Sequence, residues 1–172
     1  MDKLFAQTLT KTQVRLIVFG LILALAVLAP VVFKHSQFIT GPIVNALIIL
    51  ATYLLGPFYG IAVSLIPSGI ALAAGLLPFI LWPMVGFIIL GNIILSLTFN
   101  ALYHKNYWLA ATNAAILKFI WLYSTAYLIL KLWLKLNLAQ AISNMMGINQ
   151  LFTALLGGLL AYLALKAFKL IK

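Results

Sequence analysis

Long apolar runs, separated only by short polar or Pro/Gly-containing segments, decide what this chain can fold into. A helix that crosses the hydrocarbon core of a bilayer needs ~20 predominantly apolar residues, within a range of about 17–25. Six segments reach or approach that length: Leu16–Phe33, Ile39–Leu55, Phe58–Leu77, Phe79–Leu102, Leu109–Leu134 and Leu151–Leu170. Only 7% of the 172 residues are charged, against roughly 25% in a soluble domain. So little charge cannot keep a water-facing surface free of large apolar patches. The expected fold is therefore all-α: a polytopic membrane protein with six transmembrane helices, forming one domain over residues 1–172. Residues 1–15 are polar and are expected in water ahead of the first span. No internal repeat, low-complexity tract or linker divides the chain.

The remaining charge is one-sided. Eleven Lys and Arg residues face a single acid, Asp2, for a net charge of +10. Such a surplus often marks a nucleic-acid binder, but here the basic residues flank the apolar runs and do not share one polar face. They read instead as topology signals, because cytoplasmic flanks are rich in Lys and Arg. Six spans put both termini on one side. That side collects Lys3, Lys11, Arg15, Lys105, Lys166, Lys169 and Lys172, while Lys34, Lys131 and Lys135 fall on the other. Both termini are accordingly expected in the cytoplasm of a multi-pass cell-membrane protein, with the loops Lys34–Gly41 and Asn137–Asn149 outside. Lys11 and Arg15 before an apolar run, with Ala24-Leu25-Ala26 after its start, resemble a secretory signal. The run continues unbroken to Phe33, which favours an uncleaved first span.

Pro and Gly punctuate the rest. Gly56-Pro57-Phe58-Tyr59-Gly60 predicts a turn that makes the second and third spans a tight hairpin. Pro67 falls inside the third span, removes a backbone donor there and is expected to kink the helix. Pro78 and Pro83 bracket the start of the fourth span. Lys131–Gly147 is the longest connection, and Ala139–Met146 is a candidate short interfacial helix.

Several chemistries lack their residues. Asp2, outside the spans, is the only carboxyl side chain, so proton-coupled antiport and carboxylate-bound sodium have no intramembrane acid. There is no G-x-x-x-x-G-K-[ST] loop for a nucleotide and no G-x-S-x-G nucleophile motif. Without cysteine, thiolate metal sites and a Cys nucleophile are excluded. His35 and His104 fall on opposite sides of the membrane. No catalytic residue, metal or cofactor is implied, and an enzyme is not expected.

One ionisable residue, Lys118, lies deep in a span, about nine residues or ~13 Å into the fifth. An intramembrane charge is costly unless it faces the bundle or water, and it marks a functional candidate; end-of-helix snorkelling is the plainer alternative. Trp121 and Thr125 follow on the same helical face. An aromatic ring beside a polar group suits a flat ligand, although a Trp in lipid or in packing is as common. Asn92, Ser96 and Asn100 form a stripe on the fourth span, where interhelical bonding competes with ligand contact at Asn92 and prevails at the other two. Asn45 sits on the outer part of the second span. Asn149 and Gln150 open the sixth, where Asn149 is also a candidate cap. The segment His35–Gly41, including Gln37, reads either as a solvated loop or as a lid over an outer pocket. Gly20 and Ala24 have the small-x-x-x-small spacing of a helix contact face.

The order Asn45-Ala46-Leu47, Leu55-Gly56-Pro57-Phe58-Tyr59-Gly60, Pro83-Met84 and Gly91-Asn92 resembles the substrate-binding S components of energy-coupling factor transporters, the vitamin-uptake ABC systems. The Leu-Gly-Pro-x-x-Gly turn between the second and third helices is common in that family. The resemblance covers most of the chain. It implies six helices, a small vitamin-like substrate captured from outside, and three partners that drive reorientation: a transmembrane coupling protein and two cytoplasmic ATPases. Docking in the family often uses Ala-x-x-x-Ala on the first helix, where this chain has Gly20-x-x-x-Ala24. Family ligand sites lie among helices four to six and the outer loops. By position, Asn92, Lys118, Trp121 and Asn149 match that region; Thr125, Asn45 and Gln37 are candidates from the residues alone.

Two other classes compete. A passive channel or autonomous small carrier requires water-lined stripes through several helices, and only one good polar stripe is present. A structural membrane protein with no ligand predicts that Lys118 and Asn92 tolerate Leu or Met.

Overall fold

The computed structural model describes residues 11–33, 36–73, 82–133 and 146–171, which form six helices and, among the described residues, no strand. The helices are α1 (Lys11–Val32), α2 (Gln37–Leu55), α3 (Pro57–Ala73), α4 (Trp82–Leu102), α5 (Tyr107–Trp133) and α6 (Ile148–Ala167). Among the described residues, α1, α2, α6 and the Met84–Leu102 part of α4 are long and apolar enough to cross a membrane. The apolar stretch of α3, Pro57–Ile70, is shorter. Asn113 and Lys118 lower the hydropathy of α5, although it is the longest helix at 27 residues.

α2 is the hub. Its buried residues run from Pro42 and Asn45 through Ala46, Leu47, Ile48, Ile49, Ala51 and Thr52, and it packs against α1, α3, α4 and α6. A helix apolar all round belongs inside a bundle. By contrast, α1 buries only the stripe Ile22, Ala26 and Ala29, and α5 packs on α4 and α6.

The hairpin between α2 and α3 is tighter than the expected five-residue turn. Only Gly56 separates the helices, with φ +107, and its N–H donates to the Thr52 carbonyl. A side chain at that φ is strained, so glycine is required there. Pro57 then opens α3 at the position where a missing N–H costs nothing. Further along, α3 continues through the buried Pro67 to Ala73.

Two boundary expectations change. The segment His35–Gly41 is not a loop from Gln37 onward: Ser36 has the extended backbone of an N-cap, and its carbonyl receives the Thr40 N–H at 2.8 Å. Gln37–Gly41 is thus the start of α2, which removes a loop-type lid there; His35 lies outside the described residues. Asn149 is not the cap of α6, because that helix starts at Ile148 and Gly147 takes the cap position. Among the described residues, α1 already includes Lys11–Arg15 ahead of the expected span, since Lys, Gln and Arg are good enough helix formers to extend a helix nucleated by the apolar run. The remaining polar N-terminal residues and the candidate helix Ala139–Met146, apart from Met146, lie outside the described residues.

Close approach of α2 and α6 depends on Gly157. A Cβ there would stand 2.5 Å from Asn45 Cβ and 3.0 Å from the Ala46 backbone nitrogen. Gly20 on α1 has nothing within 4 Å of its Cβ position. Gly157→Ala is therefore expected to destabilise the bundle by about 1–3 kcal/mol through overpacking, whereas Gly20→Ala leaves stability unchanged or slightly raised. Thermal unfolding in detergent checks this; equal melting temperatures for the two variants would contradict the α2–α6 packing.

Candidate functional site

Three polar side chains from three helices meet at mid-bundle. Lys118 of α5 donates from Nζ to Asn45 Oδ1 on α2 at 2.6 Å and to Asn92 Oδ1 on α4 at 2.7 Å. All three are buried, with exposures of 3%, 2% and 4% respectively. A lysine at the centre of a span costs about 2.5–3.5 kcal/mol on insertion scales. The two amide oxygens offset that cost by giving the amine acceptors in place of water. Both Asn side chains must turn oxygen inward to do so, which directs each amide NH₂ away from the amine.

Glycines let the helices approach this node. Gly157 of α6 presses on Asn45, and a Cβ on Gly91, next to Asn92, would meet the Leu122 side chain at 3.1 Å. A second polar contact lies about two turns further along α2. Thr52 Oγ1 and Ser96 Oγ share a hydrogen bond of 2.8 Å between α2 and α4. Gly60 of α3 sits against both hydroxyls, and Ser64 Oγ donates to the Gly60 carbonyl. This contact is interhelical bonding, the role expected of Ser96. Half-buried Asn100 follows one turn below it.

The other candidates separate into groups. Trp121 is half-buried, and its indole N–H donates to the Phe87 carbonyl of α4 at 3.0 Å. Its ring tilts against Phe87 with centroids 6.4 Å apart. Thr125 is turned onto its own helix, donating to the Trp121 and Leu122 carbonyls. Asn45, expected toward the outer end of its helix, stands near the middle of the 19-residue α2 beside Lys118. Gln37 and Asn149 are half-buried in the first turns of α2 and α6, apart from the node along the helix axes. Gly20 and Ala24 are exposed on α1, on the side away from its buried stripe.

An apolar cluster of Met84, Leu122, Ala126 and Met146, with Phe87, Ile88 and Trp121 packed against it, lies next to the node. It occupies the end of the bundle where α4 begins and α5 finishes. Two of its four buried members are methionines, which repack readily around different shapes. The larger core, including Ile48, Ile49, Leu95, Phe99 and Ala114, lies mainly toward the opposite end. The node therefore sits at the boundary between an adaptable cluster and a closely packed one.

Sequence reasoning did not single out Thr52, Gly60 or Gly157 as partners of these polar residues. Thr52 had one available signal: it is seven residues from Asn45 and so shares its helical face. No family model, curated protein or solved structure matches the chain, so the site stands on its own geometry.

That geometry makes a testable statement about coupling. Lys118→Met leaves two buried amide oxygens without their donor, at an expected cost of about 1–3 kcal/mol. Replacing Asn45 and Asn92 by Leu as well removes the orphaned oxygens, so the triple variant should unfold at a higher temperature than Lys118→Met alone. Strictly additive losses across the series would show that the three side chains do not act together.

Proposed function

We propose that the chain is the substrate-binding membrane subunit of an energy-coupling-factor-type uptake transporter, with six membrane-crossing helices and both termini in the cytoplasm. It captures a small vitamin-like molecule from outside. A transmembrane coupling protein and two cytoplasmic ATPases drive its release inside, and the chain has no catalytic activity of its own. The Lys118–Asn45–Asn92 node is the observation that carries this reading. It brings one amine and two amides from separate helices together in a largely apolar interior, which is the small set of convergent polar groups that fixes a ligand's orientation.

The binding step follows from the chemistry of the node. A carboxylate or carbonyl on the ligand replaces the Asn oxygens as acceptor for Lys118 Nζ. The freed amides then turn their NH₂ groups toward the ligand's remaining acceptors. Trp121 and Phe87 offer a flat apolar wall, and Met84 and Met146 adjust to the ligand's outline. The exposed Gly20–Ala24 face of α1 is the proposed contact with the coupling protein, because small residues allow a second helix to come close.

A second reading is favoured by one feature: the node's hydrogen bonds are closed within the chain, as a packing lock without a ligand requires. Purification from native membranes separates the two. The transporter reading expects a coupling protein, two ATPases and a bound small molecule to copurify, with the small molecule lost from Lys118→Met. Recovery of the chain alone, or equal ligand occupancy in the folded Lys118→Met variant, supports the lock.

The absence of cysteine makes sidedness directly measurable. Ser36 and Lys105 are separated by α2, α3 and α4. In intact cells, Ser36→Cys should react with an impermeant maleimide and Lys105→Cys should not. Labelling of both variants or the reverse pattern overturns the proposed topology.

A further inference from the structure

The end of the bundle where α2, α4 and α6 finish and α5 begins is built differently from the rest. It holds a chain of touching rings. Tyr53 packs on Tyr103 at 5.3 Å and Phe99 on Tyr103 at 5.6 Å. Phe99 meets Tyr107 at 5.4 Å, and Trp108 meets Tyr162 at 4.6 Å. Tyr107 ties the chain to α6 by donating to the Gly158 carbonyl at 2.7 Å.

Cations border these rings. Lys166 Nζ lies 6.0 Å from the Tyr162 ring centroid. Lys105 is in the α4–α5 connection, three residues before Trp108, and Lys169 follows α6; all three lysines are exposed. Lys169 has φ 56, in the left-handed region where glycine is usual. It completes a Schellman closure of α6, with the Leu170 N–H on the Leu165 carbonyl at 2.8 Å and its own N–H on the Lys166 carbonyl at 3.0 Å. The sequence has one acidic side chain, Asp2. With eleven Lys and Arg residues against that one acid, the chain cannot pair most of its cations with its own carboxylate side chains.

We propose that the α5–α6 surface at this end is a binding site for an anionic phospholipid. Lys105 and Lys166 take the headgroup phosphate, Trp108 and Tyr162 lie at the glycerol level, and the acyl chains run along Ile116 of α5 and Leu159 of α6. Charge complementarity selects the headgroup, since juxtamembrane Lys residues are attracted to anionic leaflets. The amphipathic rings of Trp and Tyr sit at the membrane–water boundary. Leu159 and Ile116 are both exposed. They lie on the surfaces that lead from Tyr162 and Trp108 toward mid-helix, at spacings of three and eight residues that keep each pair on one helical face. A soluble acidic partner has no use for that apolar continuation, and a lipid does. The site is separate from the Lys118 node and does not depend on the transport reading.

Native mass spectrometry of the full chain in detergent, with equal phosphatidylglycerol and phosphatidylcholine added, tests the proposal. Phosphatidylglycerol adducts should predominate in the unmodified chain. That preference should fall roughly tenfold or more in the Lys105→Gln/Lys166→Gln double variant at low salt, and be retained in the Lys11→Gln/Arg15→Gln control on α1. Equal retention of the two lipids overturns the site, as does an unchanged preference in the Lys105/Lys166 variant. Loss of phosphatidylglycerol adducts to millimolar inorganic phosphate would also overturn it, because the surface would then read free phosphate and not a lipid.

Discussion

A buried amine needs acceptors, and in this chain that requirement sets the register of three helices. Among the described residues Lys118 has no carboxylate to pair with at the centre of the bundle, and its bonds go to Asn45 and Asn92. Both acceptors are short side chains. The long lysine side chain spans from α5 to both of them, which requires Asn45 on α2 and Asn92 on α4 to stand at one height. Gly157 behind Asn45 and Gly91 beside Asn92 then follow as packing necessities, because bulk at either position would push a neighbouring helix away from the amine. Apolar packing alone would tolerate sliding of one helix past another; hydrogen bonds between fixed positions do not.

The two ends of the bundle divide the remaining work. One is bordered by lysines and lined with aromatic rings in mutual contact. Its helices are closed by backbone devices, the Gly56 turn and the Schellman motif after α6. Rings with two rotatable bonds and closed helix ends make a stiff platform. The other end holds Met84 and Met146 beside Trp121 and Phe87, side chains suited to repacking. Rigidity at the basic end and adaptability at the opposite end meet at the level of Lys118. A ligand arriving from the adaptable side would reach polar groups without disturbing the platform.

Much of this was legible in the residues, and the reasons differ by element. The helices follow from apolar run length, since the backbone in lipid has few alternatives. Gly56-Pro57 announces the hairpin because only those residue types fit that corner. Lys118 and Asn92 stand out as polar groups in apolar surroundings. Their pairing with Asn45 was not legible: each helix reveals its own polar face, but the rotation and height of one helix against another are set by glycine contacts such as Gly157 with Asn45. Thr52 was overlooked because a threonine in an apolar helix ordinarily bonds its own backbone, and Thr52 does that with the Ile48 carbonyl as well as bonding Ser96. The start of α2 was placed at Ile39, where the apolar run begins, whereas Ser36 caps the helix and Gln37 opens it.

The node closes its hydrogen bonds within the chain and is a recognition site in the proposed function, and the two roles are thermodynamically linked. A ligand that takes Lys118 Nζ from Asn45 and Asn92 must supply acceptors at least as good as two amide oxygens, or it gains nothing over the closed state. A neutral carbonyl offers an even exchange; a carboxylate offers a charge-assisted one. In the proposed function the node would thus discriminate by difference, favouring an acidic group over a neutral analogue of the same shape. Such an exchange would cost α2 and α4 their direct bond to α5 and join them through the ligand. On the proposed function, capture of the molecule and loosening of the three-helix register would be one event, so the bonds that close the node would also set the threshold for a ligand.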